Sequence, residues 1–297
     1  MSYNNLERVK KVLIIILFAN IFVAILKILI GSMIKSTSLS ADGFHSLSDG
    51  SSNIVGLIGI WYAAKPIDED HPYGHRKFET LASLFIGGML TFVGISVLIS
   101  AVQRFFTPRT PDITLESILA LILTLAVNVF VSVFEYREGK KLNSSILICD
   151  SLHTRSDIYV SIGVLITLLS IRLGLPAVID PIASIIVAIF IFHAAYEIFK
   201  ENSAVLVDRA VVDSEIIKKV VLKFPQVRDV HRIRSRGRND EIFIDLHIKV
   251  DSNDTVEQSH NLIHNIEDEV RREVCENTQV IVHLEPYYPL EGSSESI

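Results

Sequence analysis

The chain has 297 residues, 49% of them hydrophobic, and a mean hydropathy of +0.40, too apolar for an ordinary water-soluble protein. Its formal net charge of −6 argues against a nucleic-acid binder, which needs a clustered basic surface. Two cysteines, Cys149 and Cys275, are too few and too separated for a disulfide framework.

Residues 1–11 are polar and end on Arg8, Lys10 and Lys11, a cytoplasmic anchor under the positive-inside rule. Residues 12–34 form the first predicted span, long enough to cross and lacking the small-residue cleavage site of a signal peptide. Residues 38–64 form the second and carry His45 and Asp49, with Trp61 and Tyr62 as interfacial anchors near its end. Residues 80–103 are uncharged and form the third, in which Gly87, Gly88 and Gly94 allow close helix contact. Residues 117–134, 153–171 and 180–199 are the fourth, fifth and sixth. Asn20, Asn53 and Asn128 suit hydrogen bonds between helices.

Six spans put both termini on one side, and the basic residues choose which. With the N-terminus inside, the inner segments hold Arg8, Lys10, Lys11, Lys65, Arg76, Lys77, Arg137, Lys140, Lys141, Lys200 and Arg209. The outer loops hold only Lys35, Arg104, Arg109 and Arg172. The expectation is a multi-pass protein of the cell membrane with both termini cytoplasmic.

From residue 204 the pattern becomes that of a small soluble α+β domain, so the domains are 1–203 and 204–297. Residues 214–224 read as an amphipathic helix capped by Ser214 and stopped by Pro225. Residues 228–235 and 241–250 alternate polar and apolar side chains around the turn RGRND, a hairpin. A long helix over 255–276 and a strand over 279–285 complete an α-β-β-α-β order compatible with a ferredoxin-like domain. The tail EGSSESI reads as disordered.

Three groups of residues carry chemistry. His45 and Asp49 share one helix face, and the spacing returns as His153 and Asp157 in the fifth span. A carboxylate inside a membrane helix costs about 2.5–3.5 kcal/mol, so two matching pairs need a reason. Two imidazoles and two carboxylates are the four donors that a tetrahedral Zn2+ ion takes, and a bound ion offsets their burial. Asp42 stands near the same face as a supporting or pathway group. The loop KPIDEDHPYGHRKFE offers Asp68, His71 and His75, a three-ligand site or a plain solvated loop. The soluble domain holds His231, His247, His260, His264 and His283, with Glu285 two residues after the last and on the same strand face.

Six spans, HxxxD in spans two and five, the DxxHxxxH loop and the C-terminal α+β domain resemble the cation diffusion facilitator family of metal/proton antiporters. The similarity covers roughly residues 10 to 288. It implies an all-α six-helix transmembrane bundle with a ferredoxin-like, metallochaperone-like cytoplasmic domain, assembled as a V-shaped homodimer. It assigns His45, Asp49, His153 and Asp157 to transport, and Asp68, His71 and His75 to a loop site. It assigns His231, His247, His260, His283 and Glu285 to a binuclear site that joins two subunits, and pairs Lys77 with Asp208 as a charge interlock. Two positions depart: His45 stands where bacterial exporters of this type carry Asp, and Glu285 replaces a more usual Asp.

The donor set suits Zn2+ best, with Fe2+, Co2+ and Cd2+ also fitting; Mn2+ prefers more oxygen, and export of Mn2+ or Fe2+ stands as the alternative. The implied partners are divalent metal ions, protons, the lipid bilayer and a second copy of the chain. An intramembrane metalloenzyme, a metal-sensing receptor and a selective channel are the rival readings. The first needs an open coordination position and a general base, and no HExxH occurs.

Overall fold

The computed structural model describes residues 3–33, 37–106, 115–172 and 178–288. The chain divides into two compact units, one over residues 2–203 and one that begins at Ala204.

Among the described residues the first unit is built of long helices: α1 (Tyr3–Met33), α2 (Thr37–Ala63), α3 (Lys77–Phe106), α4 (Leu115–Leu142), α5 (Ser145–Arg172) and α6 (Ile179–Leu206). By length and composition α3 and most of α6 are apolar enough to cross a membrane. Large apolar side chains such as Phe18, Phe22, Phe85, Phe92 and Phe130 point outwards, the arrangement of a protein whose solvent is lipid. Helices α1 and α2 pack together, as do α4 and α5, and α2 and α3. Gly87 lets α3 approach α6, since a Cβ there would stand 2.8 Å from Ile198 Cγ2. Gly94 makes a similar contact with Phe192 and Ile191, while Gly88 faces open space and makes none. Trp61 and Tyr62 end α2 with the Lys65 ammonium over both rings, at 4.8 and 4.5 Å.

The second unit contains α7 (Ser214–Val221), β1 (Asp229–Arg238), β2 (Glu241–Asp251), α8 (Val256–Glu273) and β3 (Thr278–Tyr287). The sheet order is β1-β2-β3, with β1 antiparallel and β3 parallel to β2, so α8 is the crossover of a β-α-β unit. Strand β2 buries every second side chain, Ile242, Ile244, Leu246, Ile248 and Val250. These meet Ile217, Val220 and Val221 of α7 and Leu262, Ile266 and Val270 of α8 in one core. The cap of α7 is Asp213 rather than Ser214: its carboxylate accepts from the Glu215 amide, and the helix stops four residues before Pro225. Helix α8 opens with a capping box between Thr255 and Gln258.

Candidate metal centres

His153 is the best-defined member of the predicted transport set. It sits in α5, 4% exposed, and its Nδ1 has no hydrogen-bond partner among the described residues. Asp157, one turn further on, is half-buried on the same helix. Asp42, His45 and Asp49 belong to α2, but their side chains lie outside the described residues.

A buried polar chain approaches His153 from the other helices. The Asn20 amide of α1 donates to Asn53 Oδ1 of α2 at 3.1 Å, and Asn53 Nδ2 donates to the Asp150 carboxylate of α5. Thr154 donates to Glu135 Oε2 of α4 at 3.2 Å. Glu135 and Asp150 are both buried, and their carboxyl groups hydrogen-bond to each other. The sequence reading missed both acids. The available signal was spacing: Asp150 precedes His153 by three residues, as Asp42 precedes His45, so the repeated unit is DxxHxxxD.

The loop residues converge. The turn at Gly74, φ +81, returns the chain so that His75 reaches Asp68. His75 Nε2 lies 3.2 Å from Asp68 Oδ2, and His71 approaches Asp68 Oδ1 with its Nδ1 at 3.0 Å and its amide at 2.7 Å. The imidazoles are 4.2 Å apart, and their ligand atoms and those of Asp68 all fall within 4.8 Å of one another. His75 is only 4% exposed, which distinguishes this site from a chance surface cluster. Burial pushes the Asp68 carboxyl up, but the hydrogen bonds from His71 and the charges of His75 and His71 outweigh it and hold the group below its ordinary value.

In the second unit the register lines up three histidines across the sheet, His231 on β1 opposite His247 on β2, and His247 beside His283 on β3. Their neighbour Ile248 points into the core, so the histidine row occupies the opposite face. Glu285 bridges two of them, Oε1 at 2.8 Å from His247 Nδ1 and Oε2 at 3.3 Å from His231 Nε2. The bond from His247 holds the Glu285 carboxyl below its ordinary value against the opposing effect of burial, with the charges of His231 and His247 adding to it. Ligand atoms of His231, His247 and Glu285 lie within 4.8 Å of one another. The His283 ring lies beside that of His247, centroids 4.5 Å apart and planes tilted by 44°. Asp229, which the sequence reading did not single out, stands 3.1 Å from the other nitrogen of His231. Within one chain His260 is not brought to this cluster. It stands on α8, paired with His264.

Lys77 opens α3 in the first unit. Asp208 follows α6 with φ +53 and lies 3.5 Å from the Arg236 guanidinium within the second.

Comparison with known proteins agrees with this layout. Residues 13–207 match the family described as "Cation efflux transmembrane domain", and residues 211–287 match "Cation efflux protein, cytoplasmic domain". A transporter of Methanocaldococcus jannaschii is 38% identical over 259 residues, 86% of this chain and 91% of its own. The manganese efflux system protein MneP of Bacillus subtilis is 30% identical over 289 residues, covering 94% and 96% of the two chains. The cation-efflux pump FieF of Shewanella oneidensis is 28% identical over 257 residues, covering 84% and 85%.

Proposed function

We propose that this chain, which belongs to the cation diffusion facilitator family, carries Zn2+ out of the cytoplasm in exchange for protons by alternating access. The observation that carries the reading is the buried His153 with an unpartnered ring nitrogen, one turn from Asp157 on a helix of the transmembrane domain. His45 and Asp49 of α2 complete the donor set by the same spacing.

The chemistry follows from what the ligands must do. An imidazole with an unperturbed pKa near ~6.5 binds metal only when neutral, so protonation expels the ion and the ion expels protons. His45 and His153 are therefore both ligands and proton carriers, and Asp49 and Asp157 balance the charge of the cation. Protons arriving from outside release the ion there, and the emptied site returns protonated to the cytoplasmic side. The His231–His247–Glu285 cluster, with His283 and His260, senses cytoplasmic metal and tightens a homodimer. Asp68, His71 and His75 form a second site.

A second reading is export of Mn2+ by the same route. It is favoured by the manganese efflux protein among the relatives and by the buried carboxyl groups of Glu135 on α4 and Asp150 on α5, hard oxygen donors. Purified protein in vesicles with an imposed pH gradient decides between them. Zn2+ accumulation coupled to proton efflux, lost in Asp49→Ala and His153→Ala, supports the first. Mn2+ accumulation that excess Zn2+ does not inhibit favours the second. Metal binding without flux of either ion would leave a sensor and overturn both.

A further inference from the structure

Asp229 and His231 stand two residues apart near the start of β1, so their side chains share one face of the strand, while Val230 between them is buried in the core. The register sets Asp229 opposite Lys249 and His231 opposite His247. Asp229 Oδ2 lies 3.1 Å from His231 Nδ1 and 3.7 Å from Lys249 Nζ. The other ring nitrogen of His231, Nε2, is turned to the cluster, 3.3 Å from Glu285 Oε2. One carboxylate therefore stands among the ligand atoms, and another stands behind one of the rings.

The contact with Asp229 places a proton. An ionised carboxylate accepts hydrogen bonds and donates none, so Asp229 accepts from His231 Nδ1–H. In the neutral ring the lone pair is then on Nε2, the nitrogen that faces Glu285. Glu285 holds the inward nitrogens of His231 and His247, whereas Asp229 holds the outward nitrogen of His231.

We propose that Asp229 is a positioning residue of the sheet cluster, a role that rests on reading His231, His247 and Glu285 as a metal site. It turns His231 so that Nε2 points to a divalent cation, and it fixes the tautomer that leaves this nitrogen able to bind. Histidines that ligate metal commonly donate their outer N–H to a carboxylate, which sets the ring and raises the basicity of the ligating nitrogen. Lys249, across the register pair, approaches the same oxygen and holds the carboxylate beside the ring. Asp229→Asn keeps the shape but brings an N–H2 group as well as an oxygen. Turned to His231, that group donates to Nδ1 and leaves the hydrogen on Nε2, where it blocks the ion. Asp229 lies outside the set of residues to which the family resemblance gives a role.

The test uses the full-length chain, stripped of metal by a chelator, with Zn2+ alone as probe. Modification of histidines by diethyl pyrocarbonate, mapped by mass spectrometry, reads each imidazole separately, and His247 is the reporter. Its protection is expected to rise with Zn2+ in the wild type. In Asp229→Asn, half-protection of His247 is expected to need about 10- to 100-fold more Zn2+, with His71 and His75 protected as before. Asp229→Glu restores a group that only accepts and is expected to recover most of the loss. Hydrogen exchange of the β1 and β2 amides without metal is expected to match between wild type and Asp229→Asn, which separates positioning from folding. Nitrogen-15 NMR of histidine in the metal-free wild type, at a pH where the ring is neutral, is expected to show Nδ1–H on His231. Unchanged half-protection in Asp229→Asn overturns the role, and so does an Nε2–H tautomer of His231 in the wild type. Equal weakening at His71 and His75, or faster metal-free exchange in β1, would make Asp229 a structural residue and overturn it too. A wild type in which Zn2+ never protects His247 refutes the metal site itself and the role of Asp229 with it, a failure that the wild type alone reveals.

Discussion

At the scale of single residues, the membrane unit is held by polar groups that lipid cannot satisfy. Asn53 is 1% exposed and links Asn20 of α1 to Asp150 of α5. Replacing it by leucine removes the donor to a buried carboxylate and the acceptor of the half-buried Asn20 amide together. Asn53→Leu is expected to lower stability by about 1–3 kcal/mol, read as a fall in thermal unfolding midpoint in detergent; an unchanged midpoint would show that the chain is dispensable. Glu285 offers a second residue-scale expectation, one that depends on pH. Its carboxyl is held below the ordinary value of 4.5, so its contribution to stability is complete above that value and disappears as pH falls through the lowered one. The advantage of the metal-free wild type over Glu285→Gln should therefore be largest near neutral pH and shrink on acidification past 4.5, followed by circular dichroism. An advantage that grows in acid would reverse the assignment.

At the scale of elements, the sequence reading succeeds where one residue's chemistry decides the outcome and fails where geometry does. Thr255 and Gln258 announce the start of α8 because a capping box is written in four consecutive positions. Helix α7 begins at Ser214 as expected, but its cap is Asp213, since Asp213 and Ser214 are both good caps and only backbone shape separates them. Strand alternation located β1 and β2, yet the alignment of His231, His247 and His283 is a property of register, which no single strand contains. The bulge between His231 and Arg234, with Arg232 at φ +50, was equally unreadable. Glycine gave a similar mixture: Gly87 and Gly94 sit at the contact of α3 with α6, while their neighbour Gly88 does not. Gly87→Leu is accordingly expected to force the two helices apart and cost about 1–3 kcal/mol or more in unfolding free energy. Gly88→Leu, facing open space, serves as its silent counterpart. Equal effects of the two substitutions would contradict the packing of α3.

At the scale of the whole molecule, the two proposed metal clusters draw on different residues in different units, and the difference can be measured in one sample. In the sheet cluster, one carboxylate serves His231 and His247 at once, and a divalent ion would satisfy all three groups. An ion that binds the folded state alone stabilises it by about 2.7 kcal/mol at a hundred times its dissociation constant. Hydrogen exchange followed by mass spectrometry separates the units, because the β2 and β3 amides report one and the α3 amides the other. Removing metal with a chelator is expected to speed exchange in β2 and β3, and Glu285→Ala should abolish that response without touching exchange in α3. The His75 ring, by contrast, sits against Phe78 at the start of α3, so Asp68→Ala should erase the metal response of the first turns of α3 and leave the sheet unaffected. If either substitution silences both responses, the sites act as one. The reading of an export site in one unit beside a sensing site in the other would then give way to a single metal switch running through both.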